Sequence, residues 1–210
     1  MTKHVGKVSE QTQRLVLLAL RDFEEWTGVG TTEAARRLGK PKFTAMRVFD
    51  ELTTIDPGLI GSEGKARWLT PGTDRKSLLQ KVSAHLSNPA MREYRLERLP
   101  ALAHLPLSGL SAIAHHSRAD TDALAPYPTF AITKAQEKKL GLNGGKGLAK
   151  WSEWDAPVCA VHVMSYDLDS MKDAAIDPIS AILTLSEVQM EDPLVEEAVT
   201  ETLRKTLASR

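Results

Sequence analysis

Five cations, Arg36, Arg37, Lys40, Lys42 and Arg47, stand in one stretch that contains no acid. Guanidinium and ammonium groups at this density suit phosphate oxygens, and arginine can present two N–H groups to one such anion at once. Over the whole chain Lys plus Arg and Asp plus Glu are equal at 27 each. No global field therefore draws the protein to a polyanion, and the argument rests on local clustering.

Other groupings carry less chemistry. His115 and His116 adjoin Ser117 and follow Ser108 and Ser111, which invites a hydrolytic reading. Adjacent helical residues point about 100° apart, so the two imidazoles cannot share a metal or a substrate atom, and no elbow motif or acid accompanies them. In GLNGGKG, Gly141 is one residue too close for a phosphate loop, and Gly147 stands where a magnesium-binding hydroxyl belongs. Asp56 with Glu63-Gly64-Lys65 imitates the spacing of restriction-type nucleases, but Glu63 and Lys65 sit on a glycine-flanked tip instead of a buried strand. Cys159 and His162, three apart on one strand, fall on opposite faces. Trp151, Trp154 and Asp155 read as packing at a strand entrance or as the wall of a small-molecule pocket. The expectation is of no catalytic residue, no cofactor, no metal and no enzymatic activity.

The cations must be positioned by the stretch Gly30 to Leu69. A short helix starts at Thr31, whose hydroxyl can accept from the first turn, with Glu33 suited to the positive helix end. Ala34, Ala35 and Leu38 form its inward face, Arg36 and Arg37 stay outside, and Gly39 takes the turn. Pro41 suits the first position of a second helix, KFTAMRVFDEL, which buries Ala45, Val48, Phe49 and Leu52. Its outward face carries Lys42, Phe43, Thr44, Met46 and Arg47. A Pro-Gly turn then leads to a strand at Leu59 and Ile60, a tip from Gly61 to Ala66 with Lys65 on it, and a returning strand from Arg67 to Leu69.

AARRLGKPKFTAMRVFDEL, with its spacing of small residue, Leu-Gly, basic residue, Thr, Arg and Asp-x-Leu, followed by GLIGSEGKARWL, resembles the winged helix-turn-helix of MarR-like bacterial transcriptional regulators. The departures are Phe43 and Met46, where small polar residues are more usual in that family. The resemblance implies a helix that enters the major groove and a wing that meets the backbone or minor groove. It places Arg36, Lys40, Lys42, Phe43, Thr44, Met46, Arg47, Lys65 and Arg67 against DNA. The implied function is sequence-specific regulation of transcription, as a repressor, with double-stranded DNA as partner and a homodimer as the binding form. A winged-helix module that has lost DNA binding and serves protein interaction is the competing account.

The remaining elements follow from capping and periodicity. Ser9 can cap a helix to about Thr27 with Val16, Ala19, Leu20 and Phe23 along one face, widened by Leu15 and Leu18. A helix from about Asp74 to Leu86 links the two halves. Further on come a strand over 91–99, a helix capped by Ser108, a strand at Thr129 to Thr133, the helix KAQEKKLGL, and the strongest strand at about Val158 to Tyr166. Asp177-Pro178 opens the helix ISAILTLSE, and Asp192-Pro193 opens the last, with Leu194, Ala198, Leu203 and Leu207 as its buried side. The fold class expected is α+β: a winged helix-turn-helix over 1–72, a linker helix over 73–90 and a separate α+β domain over 91–210.

LPLSGLSAIAHHS, YPTFAIT, VHVMSYD and DPISAILTL are similar to the C-terminal half of regulators that carry an AbiEi-like antitoxin domain. That likeness implies a toxin-like protein partner held by the second half, an antitoxin-like alternative to the regulator. A single cysteine, Cys159, excludes an intramolecular disulfide and fits a reducing compartment. No run approaches the roughly 20 apolar residues that span a bilayer, and MTKHVGKVSEQTQ lacks the apolar core of a signal peptide. The expected location is cytoplasmic, with no membrane partner.

Overall fold

In the computed structural model, residues 6–142, 157–166 and 172–208 are described. The chain is of the α+β class and divides into two compact units, Met1–Ser87 and Asn88–Arg210.

The first unit opens with α1 (Glu10–Arg21), whose N-cap Ser9 accepts from the Thr12 N–H. The single helix expected to Thr27 breaks at Asp22, where the backbone leaves helical geometry, and α2 (Phe23–Trp26) turns Phe23 and Trp26 into the core. The break lets the aromatic pair reach a direction that a straight helix would deny it. Then come α3 (Thr31–Leu38) and α4 (Lys42–Ile55). Gly39, at φ 63°, makes the left-handed turn between them, where a side chain would be strained. Gly30 takes the cap position of α3 without any side-chain bond, so the Thr31 hydroxyl is not the cap.

A hairpin follows, β1 (Ile60–Glu63) paired antiparallel with β2 (Ala66–Leu69). Its strands run further than expected, and the tip narrows to Gly64 and Lys65. Gly28, Val29 and Gly30 lie along the other edge of β2: Gly28 N donates to Leu69 O, Leu69 N to Val29 O, and Gly30 bridges Trp68. Any side chain at Gly61 would run into the Trp68 indole. Helix α5 (Arg75–Val82) is capped by Asp74. Its Arg75 donates to the last carbonyls of α1, Leu20 O at 2.7 Å and Arg21 O at 3.0 Å, so the helix expected as a linker is packed within the first unit. Gln13 and Ser87 close this unit: Gln13 Nε2 donates to Ser87 O, and Ser87 N and Oγ both donate to Gln13 Oε1.

The second unit is built on a three-stranded sheet of order β3-β5-β4, with β3 (Ala90–Leu96), β4 (Thr129–Ile132) and β5 (Cys159–Met164). Central β5 runs antiparallel to β3 and parallel to β4, and every residue of it is buried, as a strand covered on both faces must be. Cys159, Val161 and Val163 face a core shared with Leu96, Ile132 and Leu142. That side also holds α8 (Lys134–Lys139), from which buried Glu137 takes a two-point pair from Arg92 and a bond from the Tyr94 hydroxyl.

The alternate residues Ala160, His162 and Met164 point the other way, towards α6 (Gly109–Ser117). Helices α9 (Pro178–Leu183) and α11 (Pro193–Ala208) pack with α6 into a three-helix layer. Lys205 on α11 donates to Ser117 O at the negative end of α6. Two short helices, α7 (Thr121–Leu124) and α10 (Glu187–Met190), complete the described α-helices; α9 ends at Leu183, short of the expected ISAILTLSE, whose last residue Glu187 opens α10. The buried stripe of α11 is Val195, Ala198, Val199 and Thr202. Leu194 is 55 % exposed and Leu203 and Leu207 are half-buried, so the stripe expected from leucines is rotated towards smaller side chains that let α6 and α9 approach.

Candidate nucleic-acid interface

Alternation of burial along α4 fixes what its surface offers. Ala45, Val48, Phe49 and Leu52 are buried, and the three-and-four spacing of that stripe leaves Lys42, Phe43, Met46 and Arg47 exposed on the N-terminal half. Phe43 is 68 % exposed, an unusual state for a phenyl ring that makes no core contact. Thr44 is half-buried and donates its N–H to Pro41 O. Lys40 is exposed in the turn and Lys65 at the hairpin tip. Among the described residues, Lys40, Lys42, Arg47 and Lys65 have no ion-pair partner.

Arg36, Arg37 and Arg67 are already engaged. Arg36 makes a two-point bond to Glu33, at 2.7 and 2.6 Å, and Arg37 reaches the same carboxylate at 2.8 Å. Hydrogen bonds from Arg36 and then Arg37 hold the Glu33 carboxyl at about 2. Arg37 also lies over the Trp26 ring and donates to Glu25 O. Arg67, expected at or beside the tip, instead turns back onto α4. It pairs with Asp50 Oδ1 at 2.7 Å, donates to Thr53 Oγ1 and sits over the Phe49 ring. Glu33, read from the sequence only as suited to the helix end, stands three and four residues before the arginines, a spacing that could have marked it as their counter-ion; the Asp50–Arg67 pair, formed across 17 residues, leaves no such local signal.

Lys42 breaks a local rule. It opens α4, whose first turn carries no acid, and Lys40 stands just before it. The positive end of a helix prefers an acid there, and α4 has none to offset the charge of Lys42.

The remaining groupings are separated in space. Asp56 accepts from Gly58 N and pairs with Lys81 of α5, which keeps its carboxyl below the usual range, through the Lys81 bond first and the Gly58 N–H second. It is thereby committed to the first unit's frame and not to Glu63 or Lys65. His116 Nε2 lies 2.7 Å from Ile176 O, His115 is exposed, and Ser117 donates to Ile113 O. Ser108, expected to cap α6, holds the cap position without a capping bond. Its Oγ lies instead 2.9 Å from His162 Nδ1. Glu93 Oε2 stands 3.5 Å from His162 Nε2, so serine, imidazole and carboxylate lie in series. Ser108 has no exposed surface, unlike a nucleophile presented on an elbow. This chain was illegible beforehand because it needs the β3–β5 register that sets Glu93 opposite His162.

Among the described residues no three His, Cys, Asp or Glu side chains are grouped as metal ligands, and no helix is long and apolar enough to cross a membrane. Trp151, Trp154, Asp155 and most of the GLNGGKG loop lie outside the described residues. No protein-family model, curated protein or solved structure matches the chain.

Proposed function

We propose that the first unit is a winged helix-turn-helix module, akin to those of MarR-like regulators, that binds double-stranded DNA by sequence, and that the chain acts as a dimeric transcriptional regulator. The observation that carries this reading is the exposed N-terminal half of α4, where Lys42 and Arg47 lack counter-ions among the described residues and flank exposed Phe43 and Met46. Helix–turn–helix order, a hairpin with Lys65 at its tip and the bonding of 28–30 along the edge of β2 support it further. In this reading Lys40, Lys42, Arg47 and Lys65 neutralise phosphates, while Phe43 and Met46 offer apolar contact to thymine methyl groups. Thr44 adds a hydroxyl at the same edge, and Arg36 and Arg67 contribute only if DNA displaces their carboxylates.

The test is selection of duplexes from a random pool by the full chain, followed by titration of the selected site over a salt series. The affinity of Lys42→Ala and Arg47→Ala should fall, and the slope of log K against log salt should shrink by roughly 0.9 for each phosphate that is no longer neutralised. A pool that yields no common sequence, or variants that bind with the parent slope, would overturn the assignment.

One feature of the second unit favours a further reading, a protein partner of the kind implied by the antitoxin-like resemblance. From Glu187 to Glu201 six acids occur without a cation, and Val188, Met190 and Leu194 are exposed among them. Apolar side chains set among one sign of charge suit a basic protein. Co-purification from the native host with nuclease treatment separates the two: a stoichiometric basic protein that survives nuclease supports this reading, and recovery of DNA alone supports the first.

A further inference from the structure

A cavity of about 460 Å³ opens in the second unit between β3 and β5, the start of α6 and the segment ending in α10. Its size falls within the range of small-molecule sites. Two features of opposite polarity line it. One is the Glu93 carboxylate, braced by Arg95 Nε at 3.1 Å and by His162 Nε2 at 3.5 Å. His162 is itself buried and bonded from behind by Ser108, so one of the two braces belongs to the interior, while the other, Arg95, is half-exposed. A carboxylate has about four acceptor positions; these two neighbours leave capacity for a third donor.

The other feature is the first turn of α6. Ser108 gives its side chain to His162 and caps nothing, while Gly109 and Leu110 both line the cavity. Among the described residues their N–H groups have no hydrogen-bond partner. Gly109 is at φ 54°, and a side chain there would crowd the His162 ring, so the bare backbone at this end of the cavity is required by the geometry. Unpaired N–H groups at a positive helix end favour an anion.

A purely anionic ligand would meet Glu93, and a purely cationic one would meet Arg95 and the helix end. We infer that the cavity binds a small zwitterion, an α-amino acid, with its ammonium group on Glu93 and its carboxylate on the Gly109 and Leu110 N–H groups. The apolar part then rests on Ala125, Pro126 and Tyr127. This inference does not rest on DNA binding, since the ligand is detected with no nucleic acid present.

The experiment is a thermal-shift screen of the full chain against the standard L-amino acids, one at a time at millimolar concentration, with inorganic phosphate and ethylamine alongside. At least one amino acid should raise the melting temperature and bind by calorimetry. Its N-acetyl derivative and its methyl ester, each lacking one charge, should both bind at least roughly tenfold more weakly. Glu93→Gln, a change at a half-exposed position, should weaken the free amino acid and erase its advantage over the N-acetyl form. Absence of any shift, equal binding of the blocked derivatives, or binding of phosphate or ethylamine as tight as the best amino acid would each overturn the proposal.

Discussion

Asp50 on α4 lies 2.7 Å from the Arg67 guanidinium of β2, which also covers the Phe49 ring from outside. One cation thus joins the hairpin to the helix and is withheld from the surface. Asp50→Asn should remove its ion pair and leave it held only by Thr53 and the Phe49 ring. As a surface ion pair it contributes under about 1 kcal/mol, so the melting temperature should scarcely move. If Arg67 then reaches a phosphate, DNA affinity at low salt should rise and the salt slope should steepen by roughly 0.9. A slope unchanged in Asp50→Asn would place Arg67 out of reach of DNA.

Lys42 separates the demands of folding from those of binding. Lys42→Glu puts an acid in the first turn of α4, where none now stands, and should stabilise the first unit by about 0.3–1 kcal/mol through the helix dipole. The same change reverses a charge on the proposed groove-facing surface and should abolish retention on the selected duplex. Chemical denaturation and a DNA titration on the same preparation decide it. A variant that gains stability and keeps DNA binding would show that Lys42 faces no phosphate.

A buried carboxylate in the second unit is held by side chains of β3. Glu137 is 2 % exposed and takes three bonds from Arg92 and Tyr94, while Arg92 retains access to water. The two halves of the pair should therefore not be equivalent. Glu137→Ala lets Arg92 rehydrate and should cost about 1–3 kcal/mol. Arg92→Ala strands a carboxylate in the interior and should cost more. Calorimetric melts of both single variants and the double variant should give a coupling well short of additivity. Equal and additive losses would mean that the pair is not buried in solution.

How much of this was legible beforehand depends on the reach of each interaction. Ser9, Gly39, Asp177-Pro178 and Asp192-Pro193 announce helix ends through bonds spanning a few residues, and those ends stand where local chemistry puts them. The stripe Ala45, Val48, Phe49 and Leu52 and the outward set on α4 follow from period alone. What failed was decided at a distance. Leu194 looks like core until α6 and α9 are seen to ask for smaller neighbours. Arg67 looks like a tip residue until Asp50 arrives from another element, and Ser108 looks like a cap until the sheet register delivers His162.

The same register sets a pH dependence. Glu93 is held at about 2, below the ordinary 4.5, chiefly by its bond with His162 and secondarily by Arg95. A depressed carboxyl adds stability that is fully present above the unfolded value and is lost as pH falls from about 4.5 towards about 2. Partial exposure of Glu93 screens the effect, so the informative quantity is a difference between proteins. Wild type should melt above Glu93→Gln at a pH of about 6, and that gap should close progressively between pH about 4.5 and about 2. A gap that persists unchanged at the acid end would mean that the carboxylate's charge has no part in holding β3 to β5.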